Sequence, residues 1–267
     1  KWPSAGNCGW IFAYRSHRIA LGNYRMRIAI VGCGFVADLY AATLALHPDL
    51  ALIGVTDRDS KRAQDFGRYQ SAPVYRDYED LLSDERVETV LNLTNPESHY
   101  AVTRAALEAG KHVYSEKPLA MKLDAARELY ELADRRHLRL SGAPCSVLSA
   151  SAQTMWKALR QDKIGPVRLV YGELDDGMLH KMPYDKWRRP SGVPWPYRSE
   201  FEVGCTLEHA GYTVSWLAAF FGPAQVVTAF SSCQVPDKRP GEAIRSAPDF
   251  SVACIRFASG GVARLTC

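Results

Sequence analysis

The sequence predicts an α/β chain: a doubly wound parallel sheet, then an α+β domain with a mainly antiparallel sheet. Three observations predict it. Short apolar runs alternate with amphipathic stretches from Arg27 to Leu140. A glycine-rich turn follows the first apolar run directly. After about residue 145 strand patterns succeed one another with few helices between them.

Ile28 to Val31 is a continuous apolar run, suited to a strand buried on both faces of a parallel sheet. Phe35 to Leu46 is rich in Ala and Leu and reads as a helix stopped by Pro48. Leu50 to Val55 is the second strand. Ser60 to Tyr69 is a helix with Ser60 as its N-cap, and Asp77 to Leu82 is a short acidic helix. Thr89 to Leu93 is a strand, and Glu97 to Ala109 a helix closed by Gly110. His112 to Tyr114 is a strand, Lys122 to His137 a long amphipathic helix, and Leu138 to Leu140 opens another strand. Beyond them Ala150 to Arg160 is a helix and Val167 to Leu174 a half-exposed strand. Asp175 to Phe201 reads as one long loop rich in Pro, Gly, Trp and Arg. Thr206 to Phe221 is helical, and Val226 to Cys233, Ser251 to Phe257 and Val262 to Cys267 are strands.

The 267 residues, 47% hydrophobic and 23% charged, suit two globular domains. The division is 26–145 for the first and 146–267 for the second, with 1–25 an aperiodic extension. Met26 has the position of a natural start, and the final strand pattern stops as though the second domain were cut short. The net charge of +4 is mild, and Lys and Arg cluster only at Lys186, Arg188 and Arg189, so no nucleic-acid partner is expected. Seven cysteines without a C-x-x-C pair point to free thiols in a reducing compartment, the cytoplasm. No apolar run approaches the roughly 18 residues of a membrane span.

Gly32-Cys33-Gly34-Phe35-Val36-Ala37 fits the G-x-G-x-x-G/A turn. Gly32 permits the tight turn, Gly34 lets a diphosphate approach the backbone, and Ala37 lets the helix pack on the strand. The new helix offers free N–H groups and its positive dipole end to the phosphates. Asp57, at the end of the second strand, has the position of the carboxylate that accepts from the ribose hydroxyls, which favours NAD. Neighbouring Arg58 keeps NADP open as the alternative. A helix-terminal charge is the plainer role for Asp57.

Thr94-Asn95-Pro96-Glu97-Ser98-His99 follows the third strand, and Gly110-Lys111-His112-Val113-Tyr114-Ser115-Glu116-Lys117-Pro118-Leu119 spans the fourth and its exit. With the glycine turn, these segments resemble the glucose–fructose oxidoreductase/inositol dehydrogenase family, Gfo/Idh/MocA, over about Met26 to Cys267. The Glu-Lys-Pro element is the most specific part. The resemblance implies NAD or NADP binding, with Lys117 at the nicotinamide and the reacting carbon, Glu116 orienting it and Pro118 fixing the turn. An ammonium there can polarise a substrate oxygen. It also implies that Thr94, Asn95 and Pro96 pack by the nicotinamide ribose. His99 is either a cofactor contact or an ordinary residue of the helix start.

The family's second motif, Gly-x-x-x-Asp-x-x-x-His, lies against Gly204-Cys205-Thr206-Leu207-Glu208-His209-Ala210-Gly211-Tyr212. The resemblance then puts Glu208 at the Asp position and Tyr212 at the His position. Spacing of i, i+4 sets both on one helix face. A Tyr beside Lys117 could relay the substrate's hydroxyl proton if the ammonium favours the deprotonated phenol. His209 competes, because it titrates near neutrality, but it projects about 100° from Glu208 around the helix. A purely structural amphipathic helix is the third reading.

In the long loop, Asp176, Trp187 and Arg188 are candidate substrate contacts, with Trp195, Tyr197 and Arg198 nearby; indole faces stack on sugar rings and Arg holds carboxylates. The same aromatics could simply pin the loop. Asp175, Asp176 and His180 lack further ligands in sequence, so no catalytic metal is expected. The resulting expectation is an NAD(P)-dependent dehydrogenase or reductase acting on a CH–OH group of a sugar, cyclitol or polyol. Lys117 polarises the oxygen, Tyr212 relays the proton and Glu208 orients the pair. Two rivals stand beside it: an NAD-dependent glycoside hydrolase, and a non-catalytic sensor of NAD or a sugar. The resemblance further implies a homodimer or homotetramer.

Overall fold

A computed structural model of the chain describes residues 24–144 and 146–267. The expected extension 1–25 therefore lies outside the described residues except for its last two. These two are already tied down: Tyr24 donates to Glu88 at 2.5 Å and Arg25 to the Leu50 carbonyl at 2.8 Å. The division at 145 falls on a residue that is not described.

The first domain runs β1 (Met26–Val31), α1 (Ala37–Leu44), β2 (Leu50–Thr56), α2 (Ser60–Gln70), α3 (Tyr78–Ser83), β3 (Thr89–Asn92), α4 (Pro96–Glu108), β4 (His112–Ser115), α5 (Leu123–Arg135) and β5 (Leu140–Gly142). Its five strands are all parallel, in the order β2-β1-β3-β4-β5. A single parallel bridge, Val55 to Val74, carries the sheet one step beyond β2. The order reverses between β1 and β3, so the turn after β1 opens at the switch point, where ligands of doubly wound sheets bind.

The apolar run of β1 is explained by its two faces. Ile28 and Ile30 pack with Val55, Phe66 and Leu91 on one side. Ala29 and Val31 pack with Leu81, Val90 and Leu107 on the other. Burying both faces leaves no position for a polar residue. Helix starts follow local chemistry, with one shift from expectation: the cap of α2 is Asp59, whose carboxylate accepts from the Arg62 N–H at 3.1 Å, and Ser60 is the first helical residue.

The second domain comprises α6 (Ala150–Arg160), β6 (Leu169–Glu173), α7 (Tyr197–Phe221), β7 (Ala224–Ser232), β8 (Phe250–Phe257) and β9 (Val262–Thr266). Its sheet has the order β6-β9-β8-β7, with β6 parallel to β9 and the other pairs antiparallel. Leu217 of α7 is buried against Ile255, Phe257 and Ala263. The contact is close: a Cβ on Gly172 of β6 would stand 2.4 Å from the Thr213 methyl group.

The expectation of one loop from Asp175 to Phe201 was too long. The helix begins at Tyr197, and Gly204 breaks it with φ 79° and ψ 167°. There the chain lets Pro248 in, whose carbonyl accepts from the Cys205 N–H at 2.9 Å. A Cβ on Gly204 would lie 2.6 Å from the Ala247 Cβ, so neither the dihedrals nor the space admit another residue. The break re-aims the helix, and Glu208 and Tyr212 are carried on its second half.

Candidate active site

At the glycine turn, Gly32 has φ 94° and passes so close to β3 that a Cβ would stand 2.7 Å from the Leu93 carbonyl group. Gly34 has the opposite surroundings, with no atom within 4 Å of where its Cβ would be. That open space lies beside the start of α1, whose N-cap Val36 provides no side-chain hydrogen bond. Uncapped N–H groups and an open approach fit a diphosphate. Ala37 is fully buried against the core, as its small size anticipates.

The Asp57 carboxylate faces this turn from the end of β2. It accepts from the Cys33 and Asp59 N–H groups, each at 2.8 Å. Arg58, the expected alternative partner for a 2′-phosphate, is exposed. The guanidinium that reaches Asp57 is Arg62, at 3.4 Å. It stands one helical turn onward, on the same face of α2 as the capping Asp59.

Thr94, Asn95 and Pro96 follow β3. The buried Asn92 holds this turn: its carbonyl oxygen accepts from the Thr94 hydroxyl at 2.7 Å, and its amide donates to the His99 carbonyl and the Thr103 hydroxyl, each at 3.0 Å. His99 is a correction. It is fully buried, and its ring nitrogens face the Pro118 carbonyl at 2.6 Å and the Thr94 carbonyl at 2.9 Å. It ties together the two loops at the ends of β3 and β4 from behind and presents no free nitrogen to a cofactor.

Glu116 also acts differently from expectation. It accepts from the Tyr40 hydroxyl at 2.7 Å and from the Lys117 backbone N–H at 2.8 Å, so it fixes the backbone of the strand exit and leaves the ammonium free. The Lys117–Pro118 peptide is cis. The Lys117 ammonium instead pairs with the Glu208 carboxylate across the domain boundary, with side chains 17% and 4% exposed. Burial works against the ammonium, but the charge and hydrogen bond of Glu208 outweigh it and raise the Lys117 pKa above its ordinary value.

A cleft of about 460 Å³ opens beside this pair. Lys117, Asp176, Trp187, Trp195, His209 and Tyr212 are among its lining residues. The Lys117 Nζ lies 5.8 Å from the Tyr212 ring centre. Burial raises the Tyr212 phenol above its usual range despite the opposing Lys117 charge, so the ammonium does not bring about the expected deprotonation. The angle around the helix does not remove His209 either. It reaches the same cleft, with its Nε2 3.0 Å from Asp176, and burial lowers its pKa. Arg188 is not part of the cleft: it is exposed and donates to the Asp185 and Trp187 carbonyls at 2.8 and 2.9 Å.

Two residues of this region escaped the sequence reading. Glu200 lines the cleft, and burial together with the Glu208 carboxylate raises its pKa to about 8. Arg189 spans from the long loop to the glycine turn, donating to the Phe35 carbonyl at 3.1 Å with its guanidinium 4.0 Å from the Phe35 ring centre. Ser191 adds a hydrogen bond to the buried Asp38 of α1. A placement of Glu200 on a helix, two turns before Glu208, would have drawn attention to it.

A family model described as an oxidoreductase family with an NAD-binding Rossmann fold matches residues 26–143. An uncharacterized oxidoreductase of Synechocystis sp. is 27% identical over 80% of this chain and 56% of its own length. A trans-1,2-dihydrobenzene-1,2-diol dehydrogenase of Macaca fuscata fuscata is likewise 27% identical, over 74% of this chain and 56% of its own. The chain thus spans a little over half the length of these relatives. The WlbA dehydrogenase of Bordetella pertussis, solved with NADH and UDP-GlcNAcA, superposes with a TM-score of 0.76 at 21% identity, over 91% of this chain and 70% of that one. That likeness shows the shared fold. Residues 26–143 thus match the model of the Gfo/Idh/MocA oxidoreductase family, with its NAD-binding Rossmann fold.

Proposed function

We propose that this protein is an NAD(P)-dependent dehydrogenase that moves a hydride between nicotinamide and the carbinol carbon of a sugar, cyclitol or polyol. One observation carries the reading: an ammonium, Lys117, sits at the exit of a central strand, held by Glu208 from the other domain and facing a cleft with Tyr212. Gly32, Gly34 and Asp57 would hold the dinucleotide, which would supply the hydride donor or acceptor.

Lys117 places its positive charge where the reacting oxygen gains or loses negative charge. Glu208 keeps Lys117 charged and fixes its direction, and it leaves the ammonium's other N–H donors for substrate. Tyr212, whose phenol burial keeps protonated, gives its proton to a carbonyl oxygen in the reducing direction; in the oxidising direction it must first lose that proton to solvent, and its phenolate then takes the hydroxyl's proton. Trp187 and Trp195 offer indole faces to the apolar side of a ring. The carboxylate of Asp57 favours NAD over NADP. A homodimer or homotetramer belongs to the same reading: Val226 and Phe230, on one face of β7, are 44% and 61% exposed, apolar surface that a second copy would cover.

The test is a panel of sugars, cyclitols and polyols assayed with NAD and NADP by absorbance of the reduced nicotinamide. Turnover of at least one member supports the reading. Tight NAD binding with no turnover across the panel would replace it with a sensor.

A further inference from the structure

Away from the ion pair, the cleft carries acidic groups that no cation of the protein matches. Lys117 is already neutralised by Glu208. Asp176 and Glu200 face the same space, and among the described residues no second Lys or Arg lines it. Among the described residues the charged partner of Asp176 is the His209 ring, whose charged form burial disfavours, so the Asp176 charge is not cancelled. Among the described residues Glu200 has no ion-pair partner of its own, and it borders both this cleft and the smaller cavity that also reaches Glu208. Burial and the Glu208 carboxylate hold its carboxyl up to about 8, so it rests protonated at neutral pH and ionises when a cation is placed beside it. Two indoles, Trp187 and Trp195, complete this wall with ring centres 5.2 Å apart.

Carboxylates and indole faces are the groups that recognise a cation. A ligand carboxylate or phosphate would instead meet two acids and one ammonium whose charge Glu208 already balances. We infer that the cleft selects polyols or cyclitols that carry a protonated amino group over neutral and acidic counterparts, with Glu200 as the partner of that ammonium. The inference rests on the polyol dehydrogenase reading and narrows its substrate class.

The test compares a cyclitol, its monoamino-monodeoxy analogue and a hexuronic acid on the purified chain with NAD. Two readouts are used: kcat/KM, and binding by tryptophan fluorescence. The amino compound should exceed the neutral one by at least about tenfold in both readouts, and the acid should be weakest. In Glu200→Gln that ratio should fall below about threefold. If the variant does not fold, salt raised from about 0.05 to about 0.5 M should shrink the ratio in the natural protein. Turnover without an amine preference would overturn this inference and leave the dehydrogenase reading standing. Amine-selective binding without any turnover would do the reverse.

Discussion

The Lys117 ammonium and the Glu208 carboxylate, 91 positions apart, form a buried ion pair that joins the exit of β4 to the second half of α7. It places the chemical group of one domain under the control of a carboxylate from the other. Breaking a buried pair leaves an uncompensated charge, at a cost of about 3–5 kcal/mol. Glu208→Ala should therefore lower the melting temperature by several degrees and lower the Lys117 pKa. The double variant Glu208→Ala/Lys117→Met should recover much of that stability without recovering turnover. Thermal scans of the two variants check this, and an equal loss in both would contradict it.

The pH dependence of stability has a sign set by Glu200. Its folded pKa stands at about 8 against 4.5 in the open chain, so the fold favours the protonated form. That contribution is complete below 4.5, declines as pH rises, and is lost above about 8. Glu200→Gln cannot titrate. Its melting temperature should exceed that of the natural protein by a margin that grows across this window, reaching at least about 2 °C by its upper end. A margin that stays constant with pH would refute the assignment.

Lys117 gives the complementary case. Its folded pKa is raised above the usual 10.5, so its stabilising share is intact at neutral pH and fades only as pH climbs through the alkaline range above that value. Subtracting the pH profile of Lys117→Met from that of the natural protein should reveal the loss there and nowhere near neutrality.

At the nucleotide turn, Asp57 accepts two backbone N–H groups and faces the space in front of Gly34. Asp57→Ala should raise the Kd for NAD by about 10- to 100-fold, the worth of hydrogen bonds to a charged group. Arg62, which now reaches Asp57, is the residue that would serve a 2′-phosphate, so Asp57→Ala should also narrow the gap between NAD and NADP. Isothermal titration with both dinucleotides measures the two effects together.

Gly204→Ala should destabilise the protein by about 1–3 kcal/mol or more, because φ 79° with ψ 167° is open to glycine alone and the Ala247 Cβ fills the space. Denaturant unfolding gives the number. Since Glu208 follows the break by one helical turn, kcat should fall with it.

Much of this was legible in the sequence because the first domain obeys local rules. The apolar run of β1, the two glycines and Gly110 with its positive φ each state their structure within a few residues. The second domain resisted for a physical reason. Gly204 breaks α7, so the helical period before it does not continue the period after it, and residues 197–201 read as loop. Glu200 was lost with them. Arg188 looked like the ligand of the long loop while Arg189, its neighbour, makes the cross-domain contact; a turn closed by the Gly192 N–H on the Arg189 carbonyl at 2.8 Å decides between them. His99 and Asn92 serve as buried braces of two loops, roles that depend on partners contributed by separate strand ends.

The central claim is that Lys117 and Tyr212 form the chemical centre of the cleft. Steady-state turnover of Lys117→Ala, Tyr212→Phe and His209→Ala on the best substrate of the panel tests it most directly. The account predicts that kcat falls at least about 100-fold in the first two and stays within about tenfold in the third. Natural turnover in Lys117→Ala would contradict it.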